Sequence, residues 1–220
     1  MEIVIATDRH IKYADDICLA IDRSAQERGT GIAKRTPEYI EAKIKNGNAV
    51  IALEGDTFAG FCYIETFGEK NFVVHSGLIV HHDFRNQGLA KKIKTKVFHY
   101  SQKKFPGAKI FGITTGLAVM KINYELGYRP VTFSELTDDP EFWKGCQTCR
   151  NYDVLQRTNQ KMCMCTGMLY DGKKNVKKKH EYDSRILSRL KRIKQSLFLK
   201  KSDQKHKKNN SDKNQAPGAY

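Results

Sequence analysis

The sequence of 220 residues lacks the marks of several protein classes. No apolar run approaches the roughly 20 residues that a membrane-spanning helix needs. The opening segment, MEIVIATDRH, has no basic stretch followed by an apolar one, so no secretory leader is predicted. No internal repeat is visible. These absences predict a cytoplasmic protein whose six cysteines are kept as thiols or metal ligands rather than as disulfides.

The net charge of +15 is concentrated at one end of the chain. Residues 171–220 hold 16 lysines and arginines against five aspartates and glutamates, so this segment carries +11 and the preceding 170 residues carry only +4. If the charge attracts nucleic acid or another anionic surface, the tail is therefore the part of the chain expected to bind it.

Hydrophobic periodicity and turn signals predict alternating strands and helices. Thr36, Pro37 and Glu38 form a typical helix start, and Gly47 a typical stop. Strands are predicted at 3–7, 49–53, 58–67, 72–80, 109–115, 128–133 and 161–170, and helices at 10–28, 37–46, after the turn at 85–88 as far as 103, and from 117 to 126. This order predicts an α/β fold around a mixed (α+β) sheet over residues 1–171. Residues 172–220 form a basic tail, with an amphipathic helix at about 183–200 followed by disorder.

The segment LIVHHDFRNQGLAKKIK, residues 78–94, runs from an apolar strand directly into a basic helix. A junction of this kind points backbone N–H groups outward at a helix N-terminus, where the helix dipole favours an anion. The segment is therefore a candidate phosphate-binding loop. The alternative is an ordinary strand-to-helix turn in which Gly88 serves the backbone geometry alone.

The element order and this loop resemble the GNAT superfamily of acyl-CoA-dependent N-acyltransferases. The family signature is Gln or Arg, two free positions, Gly, one free position, then Gly or Ala; Arg85, Gly88 and Ala90 match it. The resemblance implies a GNAT-like fold, acetyl-CoA or another acyl-CoA as cosubstrate, and an enzyme that is often a homodimer. The pyrophosphate would lie on Arg85, Asn86, Gln87, Gly88, Leu89 and Ala90, and the pantetheine arm along Leu78, Ile79 and Val80.

A narrower resemblance is to the acyltransferase domain of N-acetylglutamate synthase. It rests on Arg35-Thr36, Lys70 and their spacing, the segment VHHDFR, and a Thr114-Thr115 pair after the next strand. It implies that Arg35, Lys70 and an arginine before the final strand, here Arg157, bind the glutamate acceptor. Cations suit a dicarboxylate. The alternative for each is a solvated surface charge, and Thr158-Asn159 depart from the pattern expected after Arg157.

The catalytic groups are predicted less sharply. In GNAT enzymes a tyrosine on the last helix often protonates the departing thiolate; here that position holds Asn123, and Tyr124 is one residue away, about 100° round the helix. His75 is a candidate general base because its ordinary pKa is close to neutrality. It could equally be a half-buried strand histidine.

Four cysteines are clustered near the end of the predicted domain. Cys146 and Cys149 form a CxxC pair, and Cys163 and Cys165, two apart on a predicted strand, would share one face. Four such thiolates predict a structural zinc site. The CxC half departs from usual zinc spacing, and strand cysteines are often small hydrophobic residues.

The leading functional prediction is an acyl-CoA-dependent N-acyltransferase with a small acidic amino acid as acceptor, glutamate first, acting by resemblance in arginine biosynthesis. The donor could carry an acetyl or a succinyl group. One alternative is an acetyltransferase for a protein or RNA-associated substrate recruited by the basic tail. Another is a non-catalytic protein on a degenerate acyltransferase scaffold that binds RNA or a membrane surface.

Overall fold

The computed structural model describes residues 1–28 and 33–173. The predicted tail helix and disordered end lie outside these residues. The seven strands are β1 (Glu2–Ile5), β2 (Ala49–Glu54), β3 (Thr57–Phe67), β4 (Phe72–Val80), β5 (Lys109–Thr114), β6 (Arg129–Val131) and β7 (Thr166–Tyr170). The α-helices are α1 (Ala14–Arg28), α2 (Pro37–Lys45), α3 (Leu89–Lys104), α4 (Leu117–Glu125), α5 (Pro140–Lys144) and α6 (Tyr152–Arg157).

The strands form one mixed sheet in the order β1-β2-β3-β4-β5-β7-β6. Strands β4 and β5 are parallel, because α3 crosses between them, and the other described pairs are antiparallel. Pro130 lies in the edge strand β6, where the missing N–H is tolerated. The predicted mixed α/β sheet is confirmed.

Helices cover both faces of the sheet and bury apolar cores against it. On one face, α1 and α2 pack Ile17, Ile21, Ile40 and Ile44 against β2 and β3. On the other face, α3 packs Leu89, Ile93, Val97 and Phe98. A third cluster holds α5 and α6 against β4, β5 and β7 through Phe142, Trp143 and Leu155. Helices packed on both faces thus fix the positions of the central strands.

Local signals in the sequence account for several element boundaries. The Thr36 hydroxyl accepts a hydrogen bond from the Tyr39 N–H, so Thr36 caps α2 as predicted. Residues 8–13 are a 3₁₀ turn rather than the start of α1. Strand β7 begins only at Thr166, so the predicted strand at 161–170 is wrong over its first half. None of the described helices is long and apolar enough to cross a membrane.

Candidate functional site

Strands β4 and β5 part from one another halfway along their length. They pair only through Phe72–Val74 and Lys109–Phe111, whereas β5 pairs with β7 on its other side from Ile110 to Thr114. The β5-facing edge of residues 75–80 is therefore without a strand partner in the described sheet. Backbone N–H and C=O groups at such an edge need hydrogen-bonding partners, which water or an extended ligand can supply.

A bulge in β4 sets the angle at which the strands part. Gly77 and Leu78 together stand opposite the single residue Cys62 of β3. Gly77 has φ +62°, and a Cβ atom there would lie 2.4 Å from Cε1 of Tyr63. Only glycine fits this position. The packing of Tyr63 thus fixes the curvature of β4 where the cleft opens.

Helix α3 begins beside the open end of this cleft. Its N-cap, Gly88, has φ +74°, and a Cβ atom placed on it would meet no protein atom within 4 Å. The first N–H groups of a helix have no acceptor within the helix. In a helix of 16 residues these donors and the helix dipole form an anion site that the absence of a side chain at Gly88 leaves open.

The side chains of the loop hold its backbone in place. Arg85 donates from Nε to the carbonyl oxygen of Val80 at 3.3 Å and pairs with Glu27 of α1 at 2.7 Å. Gln87 donates to the carbonyl oxygen of Asp83. These bonds tie the loop to β4 and α1, so its main chain is preorganised for a ligand.

A cavity of about 470 Å³ occupies the space between the parted strands. Its lining in the described chain carries four cationic and two acidic side chains: Lys34, Arg35, Lys94 and Lys144 against Glu65 and Glu141. Both acids are already ion-paired, Glu65 with Lys43 and Glu141 with Lys144. Glu65 also lies near enough to Arg35 to favour its charged form, but the four cations still outnumber the two acids, so the cavity favours an anionic ligand.

Of the three cations predicted to bind the acceptor, Arg35 lines the cavity. Its Nε donates to the Tyr63 hydroxyl at 2.6 Å, and its guanidinium carbon lies 5.5 Å from the centre of the Tyr39 ring. Burial alone would lower the pKa of Arg35, but the neighbouring Tyr63 raises it above its ordinary value. Lys70 and Arg157 are exposed and do not belong to the described lining. The structure therefore does not assemble the predicted set of three cations.

His75 is buried, and both of its ring nitrogens are engaged. Nε2 lies 2.8 Å from the Ser101 hydroxyl, and Nδ1 lies 3.1 Å from the Tyr128 hydroxyl. Burial, followed by the nearby charge of Lys94, lowers the pKa of His75 well below its ordinary value. A neutral imidazole tied to two hydroxyls is poorly placed to collect a proton from an incoming amine. The geometry thus favours the structural alternative over the predicted general base.

The two candidate residues of α4 lie in opposite environments. Asn123 is 1% exposed, lines the cavity, and has a side-chain oxygen without a hydrogen-bond partner among the described residues. Tyr124 is 72% exposed and is not part of the described lining. Tyr124 is therefore badly placed for the predicted role of acid. The buried Asn123 oxygen can accept a hydrogen bond from a ligand or water in the cavity.

Sequence reasoning missed Lys94, which is 2% exposed and lines the same cavity from α3. Burial lowers the pKa of its ammonium to about 8. A signal was present, because Ala90, Lys94, Val97 and Ser101 follow one another at helical spacing. A lysine on the buried stripe of an amphipathic helix is unusual.

The four clustered cysteines line the cavity or pack beside it, and each is partly buried. Burial and then the neighbouring thiols raise the pKa of Cys146 to about 11 and that of Cys165 to about 12. Among the described residues, no three of these thiols have sulfur atoms that all lie within 4.8 Å of one another. Cys163 and Cys165 precede β7, so the expectation that they share a strand face is wrong. A ready-made tetrahedral zinc site is therefore not formed.

A sheet parted at its parallel pair, beside a helix that begins at an open glycine, is the arrangement that the resemblance to acyl-CoA-dependent transferases implies. Residues 18–118 match the acetyltransferase (GNAT) family, so the chain contains a GNAT-family acetyltransferase domain. The predicted superfamily and fold are confirmed. No curated protein is significantly similar to the chain.

Solved structures share this fold at low sequence identity. The N-acetylglutamate synthase of Neisseria gonorrhoeae, complexed with coenzyme A and N-acetyl-glutamate, superposes with a TM-score of 0.56 and 17% identity over 77% of this chain and 34% of that one. Rv2747 of Mycobacterium tuberculosis, in complex with CoA, superposes with a TM-score of 0.57 and 11% identity over 78% of this chain and 99% of that one. Ribosomal-protein-alanine N-acetyltransferase of Brucella melitensis superposes with a TM-score of 0.52 and 12% identity over 78% of this chain and 99% of that one. The chain thus spans about a third of the Neisseria synthase but nearly all of the other two.

Proposed function

We propose that the domain transfers a short acyl group from acyl-CoA to the amine of a small acidic amino acid, with glutamate favoured. The observation that carries this proposal is the position of Arg35 on the wall of the cavity between the parted strands. An arginine there offers charge-assisted hydrogen bonds to an acceptor carboxylate. The excess of cations in the lining supports an acidic acceptor over a neutral or basic one.

The roles of the site residues follow from their positions. The backbone of the Gly88 loop binds the pyrophosphate, and the free edge of β4 from Ser76 to Val80 pairs with the pantetheine arm. This places the thioester at the bulge of β4. The acceptor amine then approaches from the Arg35 side and attacks the carbonyl carbon, while backbone N–H groups of the bulge stabilise the oxyanion.

An amino-acid panel assayed for thiol release from acyl-CoA tests the acceptor. We expect glutamate to exceed neutral and basic amino acids by at least about tenfold in kcat/KM, since an unmatched carboxylate interaction is worth on the order of 1.5–3 kcal/mol. A panel without preference would reject the acceptor. Retained turnover of glutamate after deletion of residues 174–220 would show that the tail is not needed, whereas activity only on a tail-recruited protein would favour the macromolecular alternative.

The cysteine cluster supports a second proposal, that Cys146, Cys149, Cys163 and Cys165 close around zinc when the metal is present. Support comes from their shared location. Burial and then the neighbouring thiols also raise the pKa values of Cys146 and Cys165, which binding of a cation would reverse. We expect elemental analysis of protein purified without a histidine tag to give about one zinc per chain, and Cys146→Ser to lose it. Two results together would contradict this proposal: the purified protein contains no zinc, and a chelator leaves its melting temperature unchanged.

A further inference from the structure

Lys94 is a buried cation for which the fold supplies no counterion. Among residues 1–28 and 33–173, no carboxylate oxygen lies within 4.0 Å of its ammonium nitrogen, which lies 5.3 Å from the centre of the Tyr128 ring. A buried ammonium without an anionic partner is strongly unfavourable. Because Lys94 faces a cavity, a ligand can provide the missing negative charge.

The groups packed round Lys94 do not compensate its charge. Cys62 of β3, His75 of β4 and Tyr128 after α4 surround it. Burial raises the pKa of Cys62 to about 11, lowers that of His75 well below its ordinary value, and raises that of Tyr128 well above it. All three are therefore uncharged near neutral pH. Of these four neighbouring groups, only the Lys94 ammonium carries a charge that can attract a ligand.

Lys94 lies near the closed end of the cleft rather than at its mouth. The Cys62 thiol beside it donates to the carbonyl oxygen of Ser76, where β4 begins its bulge. The carbonyl oxygen of His75 lies only 3.4 Å from the position that a Cβ on Gly112 would take, so the strands are still close there. Gly88, six residues back along α3, is about 9 Å away toward the open end. With the pyrophosphate at Gly88, the acyl end of the donor points toward Lys94.

We propose that Lys94 binds a carboxylate at the far end of the acyl group, so that the preferred donor is the CoA thioester of a short dicarboxylic acid, such as succinyl-CoA, rather than acetyl-CoA. This inference rests on the proposed function. Glutamate and the donor then each place a carboxylate on a separate cation, Arg35 on the acceptor side and Lys94 on the donor side.

The group transfer itself is unchanged by this assignment. The amine nitrogen forms a bond to the thioester carbonyl carbon, the carbon–sulfur bond breaks, and the sulfur leaves with the electron pair. The amine loses one proton and the thiolate of CoA gains one. Lys94 contacts the distal carboxylate and is neither acylated nor deprotonated.

The test compares wild type, Lys94→Met and the control Lys96→Met, which removes an exposed lysine from the same helix. Thiol release is measured with acetyl-CoA and succinyl-CoA in the presence of glutamate. We expect wild type and the control to prefer succinyl-CoA by at least tenfold in kcat/KM. We expect Lys94→Met to lose that preference, so that its ratio of kcat/KM for succinyl-CoA to kcat/KM for acetyl-CoA falls to about one. Lys94→Gln, a second uncharged replacement, should lose the preference in the same way. A melting curve of each variant shows whether it is folded.

Calorimetric binding of the two thioesters without an acceptor separates this inference from the proposed function. Tighter binding of succinyl-CoA that disappears in Lys94→Met supports the inference even if no amino acid is acylated. Acetyl-CoA bound and used as well as succinyl-CoA by wild type would overturn it. An equal loss of rate with both donors in Lys94→Met would also overturn it and would indicate that Lys94 protonates the thiolate.

The pH dependence gives a further readout. Without ligand, the Lys94 ammonium is fully charged well below its pKa of about 8 and loses its proton as the pH rises through that value. A carboxylate bound beside it favours the charged form and raises the pKa. Succinyl-CoA binding at pH 8.5 should therefore take up protons, seen as a dependence of the heat on buffer ionisation, and acetyl-CoA binding should not. Equal proton uptake with both thioesters would contradict the assignment.

Discussion

Replacing Gly88 with aspartate is expected to weaken CoA binding by at least about a hundredfold. The side chain would enter the open space at the start of α3 and bring a negative charge against the pyrophosphate. Two unit charges about 4 Å apart near a protein surface repel by about 4 kcal/mol, which exceeds the roughly 2.7 kcal/mol of a hundredfold change. Titration calorimetry with CoA measures the effect. Near-native affinity would show that the loop does not hold the coenzyme.

Gly107→Asp is the matched control for this variant. Gly107 also has a positive φ, +80°, and a Cβ atom placed on it would likewise meet no protein atom within 4 Å. It lies in the turn before β5, away from the Gly88 loop in the sequence. Both variants introduce the same strain, and aspartate tolerates a positive φ better than most residues. We therefore expect similar losses of melting temperature in both and a loss of CoA affinity only in Gly88→Asp. Gly88→Asn separates the steric effect from the charge.

Replacing Arg35 with glutamine should raise the KM for glutamate by about ten- to a hundredfold, because a charge-assisted hydrogen bond contributes about 1.5–3 kcal/mol. The affinity for CoA, measured separately, should change little, since Arg35 lies on the acceptor side of the parted strands. A larger effect on CoA than on glutamate would show that Arg35 serves the donor or the fold.

Lys70→Gln and Arg157→Gln are the controls, and they also decide between the sequence resemblance and the geometry. The resemblance gives all three cations a role in binding glutamate, whereas both controls replace exposed side chains outside the described cavity lining. From the geometry we expect changes in KM of less than about threefold, as for other surface charges. A rise in KM equal to that of Arg35→Gln in either variant would favour the resemblance.

Features set by local physical chemistry could be predicted from the sequence. The Thr36 cap, the β2–β3 hairpin and the full length of β4 follow from residue types over a few positions. The glycine at 88 belongs to the same class, since its positive φ and open surroundings are properties of one turn. The order of these elements was sufficient to indicate a mixed sheet.

Features that depend on contacts between distant segments could not be predicted. The role of His75 depends on hydroxyls 26 and 53 positions away in sequence, and no pattern in its own strand reveals them. Strand β7 ends at its N-terminal side where its pairing with β5 stops, at Thr166 opposite Thr114, which leaves Cys163 and Cys165 outside it. The burial of Lys94 was visible only as a polar position on an apolar stripe.

The unpaired edge of β4 has a consequence for how such a domain diverges. A coenzyme held mainly by peptide groups makes few demands on side-chain identity, because every residue except proline offers the same donor and acceptor. Side chains on the acceptor side of the cavity can then change without weakening the affinity for the coenzyme. This freedom is consistent with structural neighbours that keep the architecture at only 11–17% identity. If Arg35 and Lys94 have the roles proposed above, substitutions at these two positions could change the pair of reactants without changing the fold.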